Sequence, residues 1–125
     1  MAKSIEVSAL PKTWIMDIDG TVCKHNGYKI DGHDTLLPGA KDFFATIGRE
    51  DKIIFVTSRT REYAKMTEKF LTENGIHWDA IIYDLPYGER ILVNDKKPSG
   101  LETSVAINTV RDIFMEDHFI VNEDL

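Results

Sequence analysis

The chain has 125 residues, 42% of them hydrophobic and 29% charged, which is material for a single domain (residues 1–125) with its own core and argues against disorder. Its formal charge of -6 disfavours a nucleic-acid backbone as the default partner, since binders of that kind carry a basic surface. No apolar stretch has membrane-spanning length, the N-terminal residues lack the apolar region of a secretory signal, and the one cysteine, Cys23, allows no internal disulfide, so the cytoplasm is the expected location.

Residues 1–11 read as a lead-in that is partly frayed. A first strand is predicted over residues 13–17, a short apolar run that ends in two carboxylates, Asp17 and Asp19, and then meets Gly20. Like charges this close beside an apolar strand repel unless something positive compensates them, and a divalent cation is the natural choice. Magnesium takes hard oxygen ligands and often a substrate phosphate, so the end of this strand suits phosphoryl chemistry. Asp-Gly after an apolar run is also a common hairpin turn, so the rest of the chain must decide. Cys23 reads as a passive small residue, with no partnered histidine to make it a nucleophile. Residues 22–37 read as an ordered loop or a flap hairpin with a short strand over 28–30, and His25 and His33 read as surface residues in it.

A helix is predicted over residues 38–47, opened by Pro38 and ended by Gly48, with Phe43, Phe44 and Ile47 facing the core. A second strand over 53–56, buried on both faces, closes in Thr57, Ser58 and Arg59. The clearest helix covers 60–74: Tyr63, Met66, Thr67, Phe70 and Leu71 follow three-four spacing, and Asn74-Gly75 supplies the stop. Lys65 and Lys69 on it read as solvated charges. Further strands are predicted over 80–83 and 90–93, the latter ending in Asn94 and Asp95. Residues 101–112 read as a helix or a fifth strand, and 113–125 as a tail that packs on the domain or on a second subunit. Apolar runs alternating with helices and finishing in acid, amide or hydroxyl residues predict an α/β fold with a parallel sheet, its ligands beyond the carboxyl ends of the strands.

Asp17, Asp19, Thr57 and Asp95 thus form an ordered set at matching strand ends. Asp17-Ile18-Asp19-Gly20-Thr21, then Phe55-Val56-Thr57-Ser58-Arg59, then the apolar run closing in Asp95, resemble the motifs of the haloacid dehalogenase superfamily of phosphotransferases. The resemblance spans residues 13–98. It implies a three-layer Rossmann-like domain with a flap after the first strand, and the gaps between motifs leave no room for a cap domain. Asp17 would be the nucleophile that forms an aspartyl-phosphate, and Asp19 the general acid and then base. Thr57 would bond the transferring phosphoryl group, and Asp17, Asp19 (through its carbonyl) and Asp95 would hold Mg2+. Gly20, Thr21, Ser58, Arg59 and Lys97 would line the phosphate site, although Arg59 could equally pair with a carboxylate. The cation that such enzymes place near the last motif is missing from its usual position, and Arg90 or Lys97 would supply it, with Arg90 preferred.

Capless members accept large substrates or close the site by oligomerising, as the similar KDO 8-phosphate phosphatases do. The expected activity is therefore a magnesium-dependent phosphatase acting on a sugar phosphate or related small metabolite, in a chain that can form a homo-oligomer. Alternatives are a nucleic-acid end (3′-phosphate) phosphatase, which the acidic charge disfavours, and a receiver-like phosphoacceptor, for which Asp84 after the third run would be the acceptor.

Overall fold

The structure is a computed structural model and describes residues 2–125. Three short strands rich in β-branched and aromatic residues form its central sheet: β2 (Thr13–Met16), β3 (Lys52–Val56) and β4 (Ala80–Ile82), in the order β2-β3-β4 and all parallel. In register, Ile15 stands opposite Ile54, and Val56 opposite Ile82. The connections supply the helices α2 (Ala40–Thr46) and α3 (Ala64–Glu73), the latter entered through a single 3-10 turn, Arg61–Tyr63. The end of α3 has a chemical cause. Gly75 takes φ +71° and donates to the Thr72 carbonyl at 3.0 Å, while Ile76 donates to Leu71 at 2.9 Å, the paired bonds of a Schellman cap.

Because side chains alternate along a strand, the sheet has two distinct faces. Trp14, Met16, Ile53, Phe55 and Ile81 point into the core, where they pack with Phe44 of α2 and with Leu71 of α3. Ile15, Ile54, Val56 and Ile82 share the other face, and Ile15 and Ile82 are about half exposed, at 50% and 47%. The second strand is therefore buried on one face and not on both: Ile53 and Phe55 are buried, Ile54 and Val56 only in part. The apolar stripe of α3 is also narrower than its spacing predicts. Thr67 and Leu71 are buried, whereas Met66 is exposed.

The two ends of the chain depart most from expectation. Residues 4–7 form β1 (Ser4–Val7), which pairs in parallel with β5 (His118–Val121) as a separate two-stranded sheet, so the lead-in is ordered. Phe119 of β5 lies edge-on to Trp14 of β2 at 5.2 Å, and Phe43 of α2 meets Phe114 at 5.5 Å, which joins the small sheet to the core. The loop after β2 contains a four-residue helix, α1 (Gly27–Ile30), where a short strand is predicted, and its base is held by an isolated antiparallel bridge from Cys23 to Leu36.

Residues 90–93 are not a strand, and residues 101–112 are neither helix nor strand. Ile91 and Val93 are 84% and 86% exposed. An apolar β-branched run specifies a strand only where a neighbouring edge pairs with it, and β2, β3 and β4 pair only with one another. Residues 91–110 instead form an arm with a turn at its tip, where Lys97 donates to Leu101 at 2.9 Å and Gly100 to Lys97 at 2.8 Å.

Candidate active site

Parallel strands bring their carboxyl ends to one rim, so Asp17 after β2 and Thr57 after β3 both lie at that end of the sheet. After Asp17 the backbone rolls into a tight turn in which Thr21, Val22 and Cys23 all donate to the Ile18 carbonyl, at 3.2, 2.9 and 3.2 Å. Gly20 makes that turn possible. Its φ is +78°, and a Cβ there would stand 3.1 Å from the Arg111 side chain. The turn delivers the Thr21 hydroxyl to Asp17 Oδ2, to which it donates at 3.2 Å. The other oxygen, Oδ1, faces the Arg90 guanidinium at 3.0 Å, in an ion pair open to solvent on both sides.

Beneath this exposed pair lies a buried one. Arg59 leaves β3 two residues after Thr57 and is only 3% exposed. Its Nε and Nη2 donate to Asp19 Oδ2 and Oδ1, each at 2.9 Å. Its Nη2 and Nη1 donate to Asp34 Oδ1 and Oδ2, at 2.6 and 3.0 Å, and Nη1 also donates to the Thr67 hydroxyl at 2.9 Å. The plane of the group stacks on the Tyr28 ring at 4.1 Å. All five N–H donors of the guanidinium are thus used inside the protein. Burial by itself would favour the neutral form, but the bonds from Asp19 and Asp34 outweigh it and hold Arg59 more firmly protonated than a free arginine. Cys23 borders the cluster with Sγ 3.6 Å from Nη2; burial first, and the Asp34 carboxylate next, push its thiol far above the ordinary range.

The sequence-predicted residues divide accordingly. Asp17, Asp19, Gly20, Thr21, Thr57 and Arg90 belong to one region. Thr57 is fully buried, and its Oγ1 accepts from the Arg59 backbone N–H at 3.0 Å. Ser58 donates to the Pro86 carbonyl at 3.4 Å and so ties the loop after β4 to the rim. Arg59 is not a phosphate ligand, because no donor of its side chain is left for one. Lys97 and Asp95 lie out on the arm: Lys97 forms the tip turn, and the Asp95 carbonyl accepts from the Thr103 hydroxyl at 2.6 Å. Among the described residues neither makes a hydrogen bond or ion pair with Asp17, Asp19 or Thr57. Asp84, at φ +62°, accepts from the Arg61 N–H at 3.3 Å.

The side chains of Asp17, Asp19 and Asp95 do not gather into one group of possible metal ligands among the described residues. Among the described residues, the side chains of metal-ligand type close enough to share an ion are Asp19, Cys23 and Asp34, and the Arg59 guanidinium already bonds both carboxylates of that group. Of the donors predicted for magnesium, the Asp17 carboxylate stands open to solvent at the rim, with Arg90 3.0 Å from Oδ1. Magnesium commonly accepts one protein carboxylate, with water and a substrate phosphate completing its shell.

Sequence reasoning missed Asp34, Thr67 and Tyr28, the three residues that enclose Arg59 together with Asp19. A threonine inside the apolar stripe of α3 was a visible signal for Thr67. Asp34 and Tyr28 come from a loop with no periodicity. The hollow lined by Thr72, Gly75, Ile76, His77 and Trp78 lies at the connection from α3 to β4, by the amino end of β4, away from Asp17.

No family model and no curated protein matches this chain. Chains in solved structures do. A chain in a structure of the Pnkp1/Rnl/Hen1 RNA repair complex is 25% identical over 68% of this chain and 29% of its own length, with a TM-score of 0.52. A chain in a second structure of the Pnkp1/Rnl/Hen1 complex is 26% identical over 66% of this chain and 31% of its own, with a TM-score of 0.51. This chain thus spans about a third of the length of the proteins it is similar to. Among the described residues no helix is long and apolar enough to cross a membrane. What the geometry and these likenesses describe together is a small parallel α/β unit with an acid, a guanidinium and two hydroxyls at the carboxyl rim of its sheet.

Proposed function

We propose that the chain is a phosphomonoester hydrolase of the haloacid dehalogenase type, and that the phosphate it removes sits at the end of a nucleic-acid strand. The observation that carries the first part is the pairing of Asp17 with Arg90 at the rim. An ionised carboxylate stands in the open with a guanidinium on one oxygen and a hydroxyl donor on the other. An incoming phosphate can take over the Arg90 donors, because a guanidinium bonds phosphate in the same two-point manner as carboxylate. Asp17 then attacks phosphorus, the bond to the leaving oxygen breaks, and an aspartyl-phosphate forms. Asp19, a carboxylate in its fork with Arg59, is suited to draw the proton from the attacking water rather than to give one, so the proton for the leaving oxygen comes from solvent at the open rim. Its fork with Arg59 fixes its orientation while each oxygen keeps a second lone pair. Thr57, fully buried after β3, accepts from the Arg59 N–H and so fixes the turn that carries Arg59 beneath the rim. Magnesium, held by Asp17 and the Asp19 carbonyl, would supply positive charge between an anionic nucleophile and an anionic substrate.

The substrate class rests on the likeness to chains from an RNA repair complex and on the openness of the rim, where the Asp17–Arg90 pair meets solvent. Tyr87, in the loop that Ser58 ties to the rim, is 93% exposed and offers a ring on which a terminal base can stack. The charge of -6 favours the second reading, a small phosphorylated metabolite.

The deciding experiment is phosphate release from 3′-phosphorylated oligonucleotides and from sugar phosphates, with magnesium or with chelator. Asp17→Asn is expected to reduce turnover by about 10³-fold or more. Turnover that survives this change overturns the hydrolase reading. Faster turnover of sugar phosphates, unaffected by Tyr87→Ala, overturns the nucleic-acid one.

A further inference from the structure

We infer that the arm of residues 91–110 packs on the open sheet face of a second copy of this chain, and that the working protein is a reciprocally clasped dimer. The first observation is an area. The chain exposes 8634 Å², whereas a monomeric protein of 14.3 kDa exposes about 6,800 Å². The excess, about 1,800 Å² per chain, exceeds the roughly 800 Å² that each partner contributes to a standard stable interface, and covering it in two copies would bury about 3,600 Å² in total, within the obligate homodimer range.

The second observation is where the excess lies. One contribution is the second face of the central sheet, where Ile15 and Ile82 at its flanks are about half exposed and Ile54 and Val56 between them only partly buried, although parallel sheets ordinarily have both faces covered. The other is the arm, whose Ile91, Leu92, Val93, Val105 and Val110 are all exposed. Apolar surface on this scale is what soluble monomers avoid.

The third observation is that the arm is held in place at both ends and has its own internal bonds. At one root Arg90 pairs with Asp17 at 3.0 Å. At the other, the Asp112 carboxylate accepts from the His25 N–H at 2.7 Å, and the Asp112 N–H donates to the Gly20 carbonyl at 2.8 Å. Between them Asn94 donates to Thr103 at 2.6 Å, and Lys96 lies 3.8 Å from Glu102. The arm therefore projects as a preformed element. One chain carries both an apolar projection and an apolar face, so two copies related by a twofold axis cover both at once with a single self-complementary contact. A different protein would need two separate matching surfaces. Both roots of the arm touch the turn after β2 or Asp17 itself, so the partner copy sits at the mouth of the candidate site.

Sedimentation equilibrium of the full chain tests this, read over a wide concentration range because assembly follows mass action. The expected mass is twice 14.3 kDa. Val93→Glu on the arm and Ile82→Lys on the sheet should each return the mass of a single chain with an unchanged far-ultraviolet circular dichroism spectrum. Both side chains face solvent in the isolated chain; should either variant unfold, Leu92→Glu or Ile15→Lys takes its place. A single-chain mass for the unmodified protein at every concentration overturns the proposal. So does a dimer that survives a substitution on either surface, whether it forms through another face or by the arm alone.

Discussion

Arg59 grips both oxygens of Asp19 in a two-point fork, 2.9 Å at each tooth, while the same guanidinium bonds both oxygens of Asp34. The Asp34 side chain is completely buried. Removing the arginine alone leaves that carboxylate without its counter-charge, the situation in which a buried pair is most costly to break. Arg59→Met should therefore destabilise the chain by about 3–5 kcal/mol, measured as the shift of its urea unfolding curve. Arg59→Lys should recover little of this, because an ammonium cannot reproduce the planar five-donor pattern.

Arg90 makes the opposite kind of pair. It is open to solvent, so Arg90→Ala should change stability by no more than about 0.5 kcal/mol. If its guanidinium meets the phosphate, the same substitution should slow phosphate release by about 10²-fold, the typical loss of one electrostatic stabiliser. Comparing unfolding midpoints with steady-state turnover separates the two effects. A large loss of stability would instead assign Arg90 a structural role.

Asp79 gives the fold a defined acid sensitivity. Its Oδ2 accepts the Ile53 N–H at 2.8 Å, and this bond, aided by Lys52 and His77, holds the carboxyl below its ordinary range against the opposing effect of burial. A carboxylate whose folded pKa is depressed contributes stability above its unfolded pKa and loses that contribution as pH falls through the folded one. Unfolding midpoints should therefore drop below about pH 4, and Asp79→Asn should flatten that part of the profile while lowering the plateau at neutral pH.

Cys23 is expected to resist thiol reagents at mildly alkaline pH, because burial and then the Asp34 charge keep its thiol protonated. Labelling should follow the unfolding rate rather than reagent concentration. Rapid labelling of the folded chain would show that the Arg59 cluster opens on its own.

These tests fall on residues that the sequence revealed unequally. The apolar runs that become β2, β3 and β4 were legible because each is bounded by polar or turn residues and alternates with a helix, and Gly75 marked the end of α3 plainly. Asp17, Asp19 and Thr57 were legible because they follow such runs directly. Arg59 was visible in position but not in role, since the role depends on Asp34, which a loop brings in from 25 residues away. Residues 90–93 carry the same local pattern as a true strand and fail to form one, because pairing requires a neighbouring edge that local sequence does not encode. The same reason hid β1: its partner, β5, lies at the other end of the chain.

That last pairing sets an order on the making of the protein. Ser4 stands opposite His118, so β1 must wait for β5, made much later, before it can pair. Closing so long a loop carries an entropic cost of about 4 kcal/mol before any contact rewards it, which makes docking of β1 on β5 a late event. Until β5 emerges, the nascent chain holds β1 unpaired, and deleting residues 118–121 would leave that strand without its partner.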